Sequence, residues 1–224
     1  MSVPIDLTAT HLRVARAAAR DATQDHSLAL VAIVFGAAAF EGWLASFVTH
    51  ASRHAQHDRG PIDSAAEAIS EILPSLERTN AQWSLKLQVA CALLTGRALN
   101  RGIQPWQDID LLFRIRNSVI HPSLIWAPTV TDEHDSQPHS FVKSLVSRGV
   151  IEPPNPLSGI PGTKEEHKLI HAPASIALLQ PAVATWAVQT AECGLKGVAA
   201  LCPPSIFKKQ IDWWLDETFK VKSV

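Results

Sequence analysis

Residues 28–48 read LALVAIVFGAAAFEGWLASFV, an apolar run broken by two glycines, Ser46 and a single charge, Glu41. The run nearly meets the roughly 20 residues that a bilayer span requires. Glu41 stands at its middle, however, where a carboxylate is expensive in lipid. The chain then continues into a His/Arg-rich stretch, His50 to His57. The run therefore reads as a buried helix of a bundle, and no membrane association is expected.

Working outward, the 224 residues are 46% hydrophobic and 18% charged, the reverse of the balance that keeps a chain disordered. Helix formers dominate and glycines are few, which favours an all-α fold. Against 21 Asp+Glu stand 20 Lys+Arg, a formal charge of −1, so no global positive field recruits nucleic acid. Cys91, Cys193 and Cys202 form no CxxC and leave an odd count. That argues against a disulfide framework or zinc ribbon and fits a reducing cytoplasm. The opening residues lack the basic and apolar regions of a secretory signal.

Amphipathic spacing predicts a first helix over Thr8 to Arg20, with Arg13, Arg16 and Arg20 on a solvated face. Asp25 or Ser27 caps the helix that carries the apolar run and frays near His57. A third helix restarts at Asp63-Ser64 and is interrupted by Pro74. The fourth runs from Asn80 to Leu99 and is closed by Asn100-Arg101-Gly102. The fifth runs from Pro105 to His121 and is ended by Pro122. Residues 122–173 hold 8 of the 15 prolines, so they read as a long connection with one short helix near His139–Arg148. Ile125-Trp126 and Leu169-Ile170 can pair there as a small β-ribbon. Helix returns over Ala174 to Leu201 with a kink at Pro181, and again over Ser205 to Phe219. The expected architecture is an up-and-down helical bundle over 1–224 with 122–173 inserted.

Several patterns reduce to plain structure. Gly159-Ile160-Pro161-Gly162-Thr163-Lys164 lacks the Walker spacing and reads as a turn. His50, His54 and His57 share a helical face but have no accompanying HExxH or carboxylate in register, so a solvated helix end is expected and no metal. Trp213-Trp214 reads as core or interface.

The chemistry concentrates in Leu111-Leu112-Phe113-Arg114-Ile115-Arg116-Asn117-Ser118-Val119-Ile120-His121-Pro122. At 100° per residue, Asp110, Arg114, Asn117 and His121 fall within about 60° of one another, a polar stripe on an apolar helix. Arg116 lies on the other side, among Ile109, Leu112, Phe113 and Ile120. A cation in an apolar stripe needs a counter-charge or an interface. Glu41, the lone charge of the apolar helix, is the natural partner, so an Arg116–Glu41 contact is expected.

Arg116-Asn117-x-x-x-His121 resembles the Arg-polar-x-x-x-His signature of HEPN domains, helical-bundle proteins many of which are metal-independent ribonucleases of toxin–antitoxin and anti-phage systems. Phe40-Glu41-Gly42-Trp43-Leu44 resembles the acidic position of their second helix. The resemblance covers residues 8–121 and the helix after 173, and leaves 122–173 unexplained. It implies an endoribonuclease with no cofactor, in which His121 moves a proton, Arg116 stabilises charge on the phosphorane with Arg114 a second candidate, Asn117 orients, and Glu41 holds Arg116. Arg116 and His121 differ by about 140° around the helix axis and about 7.5 Å along it. A homodimer is therefore expected, with a composite site built across a two-fold axis, and the resemblance leaves room for a protein inhibitor or sensor as a partner. One branch of the family carries a tyrosine two residues beyond the histidine, modified by a nucleotidyltransferase antitoxin. Here that position is Ser123 and the chain has no tyrosine, so that mode of neutralisation is excluded. The competing expectation is a catalytically silent HEPN-like module for dimerisation or assembly.

Overall fold

The computed structural model describes residues 7–57, 64–79, 81–121, 137–152 and 177–220. Among these residues the secondary structure is helical throughout, with no strand: α1 (Thr8–Asp21), α2 (Leu28–His57), α3 (Ser64–Arg78), α4 (Trp83–Thr95), α5 (Trp106–Ile120), α6 (Gln137–Ser147), α7 (Pro181–Leu201) and α8 (Ile206–Lys220). The fold is an all-α bundle. The ribbon expected at Ile125-Trp126 and Leu169-Ile170 lies outside the described residues.

The apolar run becomes the hub. Helix α2 packs against α1, α3, α5 and α7, and its Phe40, Trp43 and Phe47 are fully buried. It enters through a turn in which Asp25 Oδ1 accepts the hydroxyl of Ser27 at 2.6 Å and its backbone N–H at 2.9 Å. Those two bonds hold the Asp25 carboxyl below its usual range. Two glycines let α7 come close. A methyl group on Gly194 would sit 2.5 Å from Ile109 Cδ1 and 2.8 Å from Phe40 Cε2, and one on Gly36 would sit 3.2 Å from the Ala187 carbonyl oxygen. Helix α2 is long and apolar enough to cross a bilayer, yet half of its most apolar window is buried by the chain itself.

Three helix boundaries differ from the sequence expectation. Pro74 does not interrupt α3, which runs through it. Ala66, Ile69 and Leu73 are buried before the proline and Leu76 packs against the core after it, so both halves are held despite the roughly 3 kcal/mol that an interior proline costs. Helix α4 stops at Thr95, short of Leu99. Gly96 takes φ +67° and its N–H donates to the Ala92 carbonyl, a left-handed cap that glycine adopts without penalty. Pro181 opens α7 at its first turn and does not kink it, because the missing N–H is unneeded there and Gln180 before it is extended.

The solvated end expected for His50 and His54 is also corrected. His54 is buried against Phe207 with ring centroids 5.4 Å apart, and His50 lies 4.5 Å from Trp214. Helix α8 closes over this face, with Trp214 stacked on Trp43 at 4.9 Å and Trp213 left exposed. The side chain of His57 lies outside the described ones. On α1, Arg16 is not simply solvated: it pairs with Glu192 of α7 at 2.7 Å, while Arg13 is exposed.

Candidate functional site

Helix α5 carries the site. Asp108 sits in its first turn, where the helix dipole favours an acid. Ile109, Leu111, Leu112, Phe113 and Ile115 are buried, while Arg114, Asn117 and His121 are exposed. The calculated polar stripe therefore faces solvent.

Arg116 projects from the edge of the apolar face, and its side chain is 20% exposed. Its Nη2 donates to Glu41 Oε2 of α2, the contact that the charge pattern implies. Its Nη1 donates to Asn117 Oδ1 at 3.0 Å, and the guanidinium carbon lies 5.4 Å from the Phe113 ring centroid. Phe113 is in turn stacked on Trp83 of α4 at 4.5 Å. A carboxylate, an amide and an aromatic face thus fix the guanidinium, leaving its other N–H groups for a ligand.

The pair borders an open cleft of about 650 Å³, lined among others by His11, Glu41, Trp83, Lys86, Arg116 and Asn117. That volume suits a small ligand or part of a larger one. Lys86 pairs with Glu77 at 2.8 Å, so the two cations and two carboxylates around the cleft offset one another.

His11 escaped the sequence reading. It comes from α1, its ring meets Phe35 edge-on at 5.6 Å, and its Nδ1 is buried with no hydrogen bond among the described residues. It reaches the cleft because α1 crosses α2 at Gly42, where an added Cβ would lie 4.0 Å from that nitrogen. The glycine next to the lone acid of the apolar run was the available signal.

The remaining candidates are placed elsewhere. His121 caps α5, its backbone N–H donating to the Asn117 carbonyl at 2.9 Å. Its side chain is exposed and does not line the cleft that holds Arg116. Arg114 lines a separate groove of about 400 Å³ with Arg101, Asp110 and Arg148. Within one chain, then, Glu41, Arg116 and Asn117 are brought together, while His121 and Arg114 stand apart from them. No group of His, Cys, Asp and Glu suited to a metal ion occurs among the described residues.

Neither the known protein families, nor the curated proteins, nor the solved structures provide a match to this chain.

Proposed function

We propose that this chain is a HEPN-type endoribonuclease that cleaves RNA through its own 2′-hydroxyl, acting as a homodimer in the cytoplasm as a toxin or anti-phage effector. The observation that carries the reading is the Arg116–Glu41 pair: the lone acid of the buried helix holds one guanidinium beside an open cleft, next to Asn117, itself one turn before His121.

In the proposed reaction the 2′-oxygen attacks phosphorus and the bond from phosphorus to the 5′-oxygen breaks. The products are a 2′,3′-cyclic phosphate and a 5′-hydroxyl. One His121 takes the 2′-hydroxyl proton, and the His121 of a second copy gives a proton to the departing 5′-oxygen. Arg116 stabilises the charge that grows on the non-bridging oxygens. Asn117 and Glu41 keep that guanidinium from swinging away. Pairing two chains about a two-fold axis supplies the convergence that one helix lacks. The exposure of Ile120 beside His121 (44% of its surface) suits such a contact.

The test is decay of RNA by purified protein in EDTA, comparing the unaltered chain with His121→Ala and Arg116→Ala. Both substitutions are expected to lower cleavage by about 10²-fold or more, and all-deoxy substrate is expected to survive. A second reading, a silent assembly module, is favoured by the position of His121 outside the cleft. Under that reading neither substitution changes RNA decay or growth toxicity, while dimerisation persists.

A further inference from the structure

We infer that the groove formed by Arg101, Arg114 and Arg148 is a phosphate track along which the backbone of an RNA strand lies, an inference that rests on the ribonuclease reading of α5. The three guanidinium groups come from three different segments. Arg101 lies in the connection between α4 and α5, Arg114 on α5, and Arg148 just past α6. Such convergence is a property of the folded chain and is invisible in any single stretch of it.

Two of the three are held by carboxylates, one of which, Asp110, also lines the groove. Arg101 donates to both oxygens of Asp110, from Nε at 3.0 Å and from Nη2 at 2.6 Å. Its loop is itself fixed, because Gly102 N–H donates to Asn100 Oδ1 at 2.9 Å and the Gln107 side chain donates to the Gly102 carbonyl. Arg148 donates through Nε to Asp108 and through Nη1 to the Ser144 carbonyl at 3.2 Å. Arg114 is exposed and has no carboxylate partner among the described residues. Among the described residues, three cations against two carboxylates leave the groove positive on a chain whose formal charge is −1. Guanidinium groups fixed in advance lose little freedom when they bind a phosphate, and their flat fork matches its oxygens.

Placement selects RNA over a small anion. Arg114 and His121 share the exposed stripe of α5, seven residues and so about 10 Å apart along the axis. A strand engaged at His121 and running back along α5 passes over Arg114 and into the groove. Contacts from its arginines to phosphate oxygens would carry no sequence information.

The experiment uses a fluorescent 2′-O-methyl RNA oligomer, which cannot be cleaved by its own 2′-oxygen, and reads anisotropy across a series of salt concentrations with the full chain. Arg114→Ala, which removes an exposed side chain with no ion-pair partner among the described residues, is expected to weaken binding about tenfold. It should also lower the slope of log affinity against log salt by about 0.7. Arg114→Glu should weaken binding further, and Lys209→Ala on α8 should leave it unchanged. Unchanged affinity and slope in both Arg114 variants would overturn the inference. So would equal competition by inorganic phosphate at matched charge, which would make the groove a general anion site. A protein that binds the oligomer through Arg114 but leaves ordinary RNA intact keeps the track and removes the nuclease. A protein that cleaves RNA while its Arg114 variants bind like the unaltered chain does the opposite.

Discussion

Two faces of the same helix use the same residue types to opposite ends. Toward α8, helix α2 presents Trp43, Phe47, His50 and His54, and the partner helix covers them with Phe207 and Trp214. Toward α5 it presents Phe40 and Glu41, and the aromatic ring of Phe40 meets Trp83 and Phe113 edge-on. There the covering stops, and Glu41, Arg116 and His11 border an open cleft. A histidine or an arginine is therefore structural or available according to whether a further helix lies over it. Residue type alone does not decide which.

The largest effect expected from breaking this contrast is on the closed face. Trp43→Ala should cost about 3–5 kcal/mol, because a fully buried indole stacked on Trp214 leaves a cavity that its neighbours cannot fill. Chemical denaturation measures it, and a loss below about 1 kcal/mol would mean that α8 does not seal this face. On the open face the effect should fall on activity. Arg116→Ala is expected to lower RNA cleavage by about 10²-fold or more, the worth of one donor to a developing oxyanion. Its stability should change by under about 1 kcal/mol, since Glu41 is 41% exposed and can be hydrated. A large loss of stability with unchanged turnover would turn the open face into a second structural one.

Between the faces, Gly194→Ala should destabilise by about 1–2 kcal/mol. The added methyl would press on Ile109 and Phe40, and that overpacking exceeds the roughly 1 kcal/mol gained in helix propensity. A gain in melting temperature would show that α7 can shift away from both faces. The smallest effect lies at the entry to α2. The Asp25 carboxyl should titrate below the ordinary carboxylate range, and Ser27→Ala should raise it, as followed by NMR. Its folded value is the lower one, so its contribution to stability is present above the unfolded pKa. That contribution is lost as pH falls through the folded value.

The open face was more legible than the closed one. A lone acid in an apolar helix and a cation in an apolar stripe each lack a local partner, so elementary electrostatics pairs Glu41 with Arg116 across 75 positions. The end of α5 was legible because Pro122 follows His121. His50 and His54 were misread because their burial depends on where α8 docks, and nothing within α2 records that. His11, Arg101 and Arg148 were missed for the same reason: each reaches its place through a helix crossing or a loop. Pro74 and Pro181 show the converse limit, since a proline marks a break only when packing or helix position does not absorb it.

Gly96 has a consequence for how the molecule can be altered. By stopping α4 at Thr95 it leaves residues 97–105 as a hydrogen-bonded loop before α5 begins. The course of that loop brings Arg101 back onto Asp110. Lengthening or shortening the loop at its exposed positions, away from Leu99, would detach one guanidinium from the groove with little effect on the core. The charge of the groove and the stability of the bundle are thus adjustable on separate dials, and the loop between α4 and α5 is the place to turn the first without moving the second.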